Sequence, residues 1–233
     1  MLQARNLTKR YLDGAETRTV LDGVSFSVDG GEFVALRGPS GSGKTTLLKL
    51  IAGVLEPDEG EVRVALGQEP ARSLTRLGRR EGDEYRLRAL GFVLQRPRLV
   101  ASMSAIQNAA IRLMSCGMAR SEAQRAVLPL LERLDLGRDV DTSARRLSDG
   151  QRQRVAIAAA LSTGPKLLIA DEPTGNLDAE NSARVLALLS EVCSEQNVAA
   201  LVATHDPQVS DVADRTLILG GGRIEEATGV AGL

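Results

Sequence analysis

The chain has 233 residues, of which 29 are Lys or Arg and 30 are Asp or Glu, so its formal net charge is −1. This balance excludes the broad basic surface of most nucleic-acid-binding proteins, and we expect no nucleic-acid partner. The longest run of strongly apolar residues, 155–161, is far shorter than the ~18 residues that a membrane-spanning helix needs. The N-terminus lacks the apolar core of a signal peptide, so we expect a cytoplasmic protein.

The first third of the chain alternates apolar and polar residues as β-strands do. Strands are predicted at 24–28 and 32–36, with a Gly-Gly turn between them. A glycine-rich loop follows, then a helix at 45–52 that Gly53 ends, and a further strand at 61–66. Residues 67–90 contain many arginines interleaved with acids, which favours a solvated face over a phosphate or nucleic-acid site.

The middle of the chain changes to a helical repeat. A strand at 90–94 precedes a helical block at 104–136, in which we expect Pro129 to kink or restart the helix. The remaining elements are predicted as helix 150–162, strand 166–170, helix 179–195, strand 198–203 and a final strand at 216–219.

Short apolar strands that alternate with amphipathic helices predict an α/β fold with a mainly parallel sheet wrapped by helices. No strand is predicted within 104–162. We therefore expect this block to form a helical lobe, at about 100–162, inserted in a single domain that spans residues 1–233.

The strongest motif is G-x-x-x-x-G-K-[ST], which lies between an apolar strand and a helix. Its glycines let consecutive backbone N–H groups curl around phosphate oxygens, and the helix N-terminus adds partial positive charge. Lys44 is expected to reach the β- and γ-phosphates, and the Thr45 hydroxyl to ligate Mg²⁺. The alternative is an ordinary glycine-rich turn. The predicted nucleotide-binding residues are Gly38, Pro39, Ser40, Gly41, Ser42, Gly43, Lys44, Thr45 and Thr46.

Two acidic residues follow the apolar strand near 167–170. Asp171 is predicted to hold Mg²⁺, because ligands of open α/β sheets bind at the carboxyl ends of the strands. Glu172 is predicted to orient or deprotonate the attacking water. An Asp-Glu pair alone is more often the start of a solvated helix, but the phosphate loop favours the site. Together the two motifs predict a phosphate-loop NTPase.

A third motif narrows this class. The run Leu147, Ser148, Asp149, Gly150, Gln151 opens a helix 20 residues before Asp171. Here the chain resembles the ATP-binding cassette (ABC) family, whose signature is Leu-Ser-Gly-Gly-Gln, over essentially its whole length. The resemblance implies an ABC-type ATPase with ATP and Mg²⁺ as cofactors, and a fold with an antiparallel β portion beside the parallel core. It also implies nucleotide contacts by Ser148, Gly150 and Gln151.

The resemblance gives roles to four further residues. Tyr11 matches the aromatic residue that stacks on adenine, and Gln95 matches the Q-loop glutamine, a metal ligand and catalytic residue. Asp178 matches the D-loop, and His205, the one histidine of the chain, matches the switch histidine. The residues themselves leave alternatives open. Tyr11 could pack on the sheet, Asp178 could be a helix N-cap, and Gln95 and His205 could be ordinary strand-end residues.

In the ABC family the signature loop of one subunit caps the nucleotide of a second. The resemblance therefore implies a dimer, homomeric or heteromeric, that ATP closes and hydrolysis opens. It also implies a separately encoded transmembrane permease that holds the chain at the inner face of the cell membrane. Residues 90–95 and 174–178 look like those of the lipoprotein-release, macrolide-efflux and cell-division branch.

We therefore expect an ATPase that powers a transporter, of the export type or for efflux of lipoproteins, peptides or drugs. The alternatives are a regulatory cassette that transmits motion to a cell-envelope or division partner, and a soluble cassette acting on DNA or ribosomes. Two residues depart from the family pattern, Asp149 in place of the first signature glycine and Ala159 in place of an arginine. Asp149 could repel the partner's triphosphate, or it could point away and cap its helix.

Overall fold

The structure, a computed structural model, describes residues 1–14, 16–65, 71–175 and 177–227. Its strands are β1 (Leu2–Asp13), β2 (Glu16–Val28), β3 (Phe33–Arg37), β4 (Glu59–Val64), β5 (Arg72–Ser73), β6 (Leu90–Val93), β7 (Leu167–Asp171), β8 (Ala199–Ala203), β9 (Arg215–Gly220) and β10 (Arg223–Glu226). Its helices are α1 (Lys44–Ile51), α2 (Arg79–Glu84), α3 (Ala105–Ser115), α4 (Arg120–Arg133), α5 (Asp149–Leu161) and α6 (Ala179–Glu195). Within the described ranges, none of these helices has the length and apolarity of a membrane span.

The strands form two sheets. The first has the order β2-β1-β4-β5 and is antiparallel. The second has the order β10-β9-β3-β8-β7-β6, in which only β10 runs antiparallel to its neighbour. The predicted mainly parallel core and antiparallel portion are confirmed. The central strands β3, β7 and β8 are buried almost throughout, because helices or the other sheet cover both faces.

Successive residues of the central strands face two different cores. Phe33 and Ala35 of β3 pack in one cluster with helices α3 to α6. Val34 and Leu36 pack in a second cluster with α1 and the antiparallel sheet. Since β3, β7 and β8 are parallel neighbours, the residues that follow them meet at one edge of the sheet.

Helices α3, α4 and α5 occupy the segment that was predicted to form a helical lobe. Helix α4 continues through Pro129, so the expectation that the helix restarts there is wrong. Pro129 lacks the N–H that would bond the carbonyl of Arg125. Both residues are exposed, and water can bond that carbonyl on the solvent face.

Residues 71–90 contain more structure than the sequence predicts. Helix α2 runs into a π-helical turn at Tyr85–Ala89, and the buried Tyr85 hydroxyl donates to the carbonyl of Ile51 at 3.0 Å. Most arginines of this segment are exposed, as expected, but Arg86 donates to the carbonyl of Gly53 at 2.7 Å. The predicted strand at 61–66 and the predicted solvated face at 67–90 both extend into residues 66–70. These five residues lie outside the described residues.

The structure also adds three strands, β1, β5 and β10, to those predicted. β1 lies in the middle of the antiparallel sheet, between β2 and β4. β10 follows the strand that was expected to be the last, and it pairs with β9 from Arg223–Gly220 to Glu226–Leu217.

Candidate nucleotide-binding site

The phosphate loop, residues 38–43, joins β3 to α1. Gly38 has a φ of +154°, and a Cβ there would lie 2.2 Å from the carbonyl oxygen of Leu219. Gly43, at φ +106°, approaches Val20 so closely that a Cβ would lie 3.0 Å from Val20 Cγ1. In the described chain no side chain caps α1. The first N–H groups of α1 are therefore available to an anion.

The Lys44 amine lies across the phosphate loop. Its Nζ donates to the carbonyl oxygen of Gly38 at 2.8 Å and to that of Pro39 at 3.1 Å. These contacts hold a positive charge over the N-terminus of α1. A polyphosphate bound in the loop would meet both the amine and the helix N–H groups.

Two of the three predicted metal ligands, Thr45 and Asp171, lie next to each other. Thr45 Oγ1, in the first turn of α1, donates to Asp171 Oδ2 at the end of β7, at 2.9 Å. Gln95, which follows β6, lines the same cavity. Hydroxyl, carboxylate and amide oxygens are donors that suit Mg²⁺, which usually keeps several waters and phosphate oxygens as its other ligands. The residues present therefore fit the metal that the sequence predicts.

Glu172 is held by the strand end of β8. Its Oε2 accepts from Thr204 Oγ1 at 3.0 Å and from the backbone N–H of His205 at 3.3 Å, and its Oε1 lies 2.8 Å from His205 Nδ1. The backbone of Glu172 has a φ of +50°, which is uncommon for a residue other than glycine. The Glu172 side chain is 13% exposed and that of His205 is 76% exposed. The carboxylate is thus oriented into the cavity while the imidazole remains in contact with solvent.

The signature residues cap α5 and lie outside this cavity. The Ser148 hydroxyl accepts from Gln151 N at 3.2 Å, and Gln151 Oε1 accepts from Ser148 N at 2.9 Å. Ser148, and not Asp149, is therefore the N-cap. The Asp149 carboxylate instead forms an ion pair with Arg152 one turn further along the helix. Gly150 packs so closely on Leu177 that a Cβ would lie 2.8 Å from Leu177 Cδ2.

Tyr11 and Asp178 also lie outside the cavity. Tyr11 is 41% exposed on β1, and Lys9 Nζ lies 5.9 Å from the centroid of its ring. Asp178 caps α6, where its Oδ1 accepts from Asn181 N at 2.9 Å. The backbone and side-chain hydrogen bonds from Asn181 lower the pKa of Asp178.

The cavity beside the phosphate loop has a volume of about 630 Å³. Most of its lining was predicted from the motifs, but Arg18 and Val20 of β2 were missed because no motif includes them. Gln153 was also missed. Its Nε2 donates to the Leu94 carbonyl at 3.2 Å and so joins α5 to the segment before Gln95. The predicted residues that line the cavity are Gly38, Ser40, Gly41, Ser42, Gly43, Lys44, Thr45, Thr46, Gln95, Asp171, Glu172 and His205.

Comparison with known proteins gives consistent matches. Residues 21–175 match the family model described as ABC transporter. The chain is 42% identical over 226 residues to the lipoprotein-releasing system ATP-binding protein LolD of Chromohalobacter salexigens, covering 97% of this chain and 93% of that protein. It is 43% identical over 226 residues to LolD 2 of Caulobacter vibrioides, covering 97% and 96% of the two chains.

Solved structures match over nearly the whole chain. The dimeric ATP-binding cassette MJ0796 bound to ADP and Pi has a TM-score of 0.88 at 33% identity, covering 98% of this chain and all of that one. The cbiO1 protein of Clostridium perfringens, part of the ABC transporter complex cbiONQ, has a TM-score of 0.82 at 30% identity, covering 96% of this chain and 86% of that one.

Proposed function

The chain belongs to the ABC transporter family and is an ATPase of the ABC type, and we propose that it powers a membrane complex that releases lipoproteins. One observation carries the part of the proposal that concerns ATP hydrolysis. The Thr45 hydroxyl lies 2.9 Å from the Asp171 carboxylate, in a cavity that Lys44 and Glu172 also line. A phosphate-binding loop, oxygen ligands for a cation and a base thus lie in one place.

The phosphate loop and Lys44 would hold the β- and γ-phosphates of ATP. The amine that now bonds the Gly38 and Pro39 carbonyls is placed to interact with phosphate oxygens instead. Thr45 and Asp171, with Gln95, would hold Mg²⁺, which neutralises charge on the phosphates. Tyr11 would contact the adenine ring from the end of the β1–β2 hairpin.

Glu172 would act as the general base. It accepts a proton from a water molecule whose oxygen attacks the γ-phosphorus, and the bond to the β–γ bridging oxygen breaks to leave ADP and phosphate. Thr204 and the backbone of His205 donate to this carboxylate, which fixes its direction. His205 would contact the γ-phosphate from its exposed position at the end of β8.

The signature residues would serve a second subunit. Ser148, Gly150 and Gln151 lie at the N-terminus of α5, outside the cavity of their own chain. A head-to-tail dimer would place the backbone N–H groups at the N-terminus of α5, and the Ser148 hydroxyl, against the γ-phosphate of the ATP bound by the partner subunit. The similar cassette MJ0796 is dimeric in its solved structure, which supports a dimer. Asp178, at the start of α6, would lie near the same interface.

A transmembrane permease would complete the complex. The similar LolD proteins are named as ATP-binding proteins of lipoprotein-releasing systems. The chain would bind such a permease at the inner face of the membrane. ATP-driven closure of the dimer would then be transmitted to the permease, and Gln153, which joins α5 to the segment at Gln95, would couple the nucleotide site to the helical lobe.

Three measurements test the proposal. Lys44→Ala should weaken ATP binding at least about tenfold, because the main cation facing the phosphates is lost, whereas the exposed Arg125→Ala should bind as the wild type does. The tagged chain should co-purify with an integral membrane protein from detergent-solubilised membranes of its source. Purified with that protein in vesicles, it should release a lipidated protein only when ATP is present. Unchanged ATP affinity in Lys44→Ala would refute the nucleotide site. Release independent of ATP, or no membrane partner, would refute the transport function.

A further inference from the structure

One wall of the phosphate-loop cavity is formed by two residues of β2 that no motif includes. Arg18 and Val20 line the cavity together with the loop. Val20 packs on the loop itself, since a Cβ on Gly43 would lie 3.0 Å from Val20 Cγ1. Arg18 lies two residues nearer the end of the β1–β2 hairpin and is exposed to solvent. The arginine therefore stands at the open side of the cavity.

A β-bulge in β2 determines which side chains of the hairpin face the loop. Leu21 and Thr19 pair with successive residues of β1, so Val20 between them is an extra residue in β2. Successive residues of β1 point to opposite faces, and the partners Leu21 and Thr19 therefore do so as well. Arg18, the neighbour of Thr19, then shares a face with Leu21. Leu21 packs on the loop, since a Cβ on Gly43 would lie 3.1 Å from its Cδ2.

The bulged part of β2 is fixed to the sheet that carries the loop. Asp22 N donates to the carbonyl of Gly222 at 2.8 Å, and Arg223 Nη2 lies 2.9 Å from Asp22 Oδ2. Gly222 also approaches Val20, since a Cβ there would lie 3.2 Å from the Val20 carbonyl oxygen. The wall is thus held in place from the turn between β9 and β10.

The charge of Arg18 has no counterpart among the described residues. Arg18 makes no hydrogen bond or ion pair with any residue that the structure describes. The two acidic side chains of the cavity contact other residues: Asp171 accepts a hydrogen bond from Thr45, and Glu172 contacts the His205 ring. A guanidinium at the open side of a phosphate-binding cavity is suited to a phosphate group, because its planar N–H groups match two phosphate oxygens.

The position of Arg18 along the hairpin indicates which phosphate it meets. It pairs directly with Tyr11, and side chains directly opposite in an antiparallel pair lie on the same face. Arg18 therefore lies between the loop and Tyr11, the residue proposed to contact the base. We propose that Arg18 binds the phosphate nearest the sugar of a nucleoside di- or triphosphate. This inference rests on the proposed function, which places the other phosphates on Lys44 and Thr45.

Calorimetric titration of ATP and of ADP into the full chain tests the proposal. Arg18→Ala should weaken the binding of both nucleotides by a similar factor of about ten, which corresponds to the loss of one charge-assisted hydrogen bond to an anion. Arg18→Lys should recover part of this loss, since it keeps the charge but not the planar fork. Raising the salt concentration from about 50 to 500 mM should weaken ATP binding more in the wild type than in Arg18→Ala, because salt screens the charge of Arg18.

Two variants serve as controls. Thr19→Ala changes the neighbouring strand residue, which does not line the cavity, and Arg125→Ala removes an exposed arginine from α4. Both should bind ATP within about twofold of the wild type. The proposal is overturned if Arg18→Ala binds ATP and ADP as the wild type does. It is also overturned if the substitution weakens the binding of ATP but not of ADP, because that outcome places Arg18 on the γ-phosphate. If Lys44→Ala also keeps wild-type affinity, the proposed function fails as well. If Lys44→Ala loses binding and Arg18→Ala does not, only the role of Arg18 fails.

Discussion

The substitution Glu172→Gln separates the chemical step from nucleotide binding. In the wild type, Oε2 accepts from Thr204 Oγ1 and His205 N, and Oε1 lies 2.8 Å from His205 Nδ1. A glutamine has the same shape. Its oxygen can accept both hydrogen bonds, and its amide can donate to Nδ1 of a neutral imidazole. The carboxamide should therefore occupy the same position but cannot accept a proton.

The magnitudes follow from this network. Neutral hydrogen bonds replace charge-assisted ones, so the free energy of unfolding should fall by only about 1–2 kcal/mol. Turnover should fall by about 10² to 10⁴-fold, the usual contribution of a general base. ATP affinity should stay within about threefold of the wild type, because Lys44 and the loop are intact. The uncleaved ATP should then stabilise a dimer.

The assays are phosphate release at saturating ATP, calorimetric ATP binding, and size-exclusion chromatography with and without ATP. Glu122→Gln is the matched control, because Glu122 is an exposed carboxylate in the first turn of α4, away from the cavity. It should behave as the wild type does in all three assays. Turnover of Glu172→Gln within about threefold of the wild type would refute the assignment of the base. Equal loss of turnover and ATP binding would show that Glu172 acts in binding instead.

Three further predictions test the site and its surroundings. Asp149→Gly should lower the stability by about 1 kcal/mol, through the lost ion pair and the flexible glycine, and leave hydrolysis unchanged. A rise in turnover, or a tighter ATP-dependent dimer in a Glu172→Gln background, would instead show that the carboxylate repels the partner's nucleotide. Tyr11→Ala should weaken the binding of ATP and of GTP equally, by ~1–3 kcal/mol, because stacking uses the face of the base. Unchanged affinity would show that Tyr11 is a packing residue. Burial raises the pKa of Cys193 to about 12, so at pH 8 a thiol reagent should label only the partly exposed Cys116 in the native chain and both thiols in guanidinium. Equal labelling rates in the native chain, measured by mass spectrometry, would contradict this burial.

The sequence by itself predicted the chemistry of the site. The spacing of the residues from Gly38 to Thr45 predicts the phosphate loop. The apolar run before Asp171 predicts a buried strand with a carboxylate at its end. Each motif is local, because its glycines and helix start act on neighbouring residues. The long elements were also predictable, and helix α6 has the predicted bounds, residues 179–195. Its apolar residues repeat at helical spacing over many turns.

Only the tertiary structure decided which distant residues share the cavity. Arg18 lines it because an extra residue at Val20 shifts the pairing of β2, and a bulge shows in the pairing of two strands rather than in either strand's sequence. β1, β5 and β10 were missed for a related reason, since a polar strand is stabilised by its neighbours in the sheet. Helix α4 continues through Pro129 because that position faces solvent, where water replaces the missing donor. Local sequence limits what a segment can form, but register, burial and the approach of distant side chains depend on the packed partners, which the local pattern does not contain.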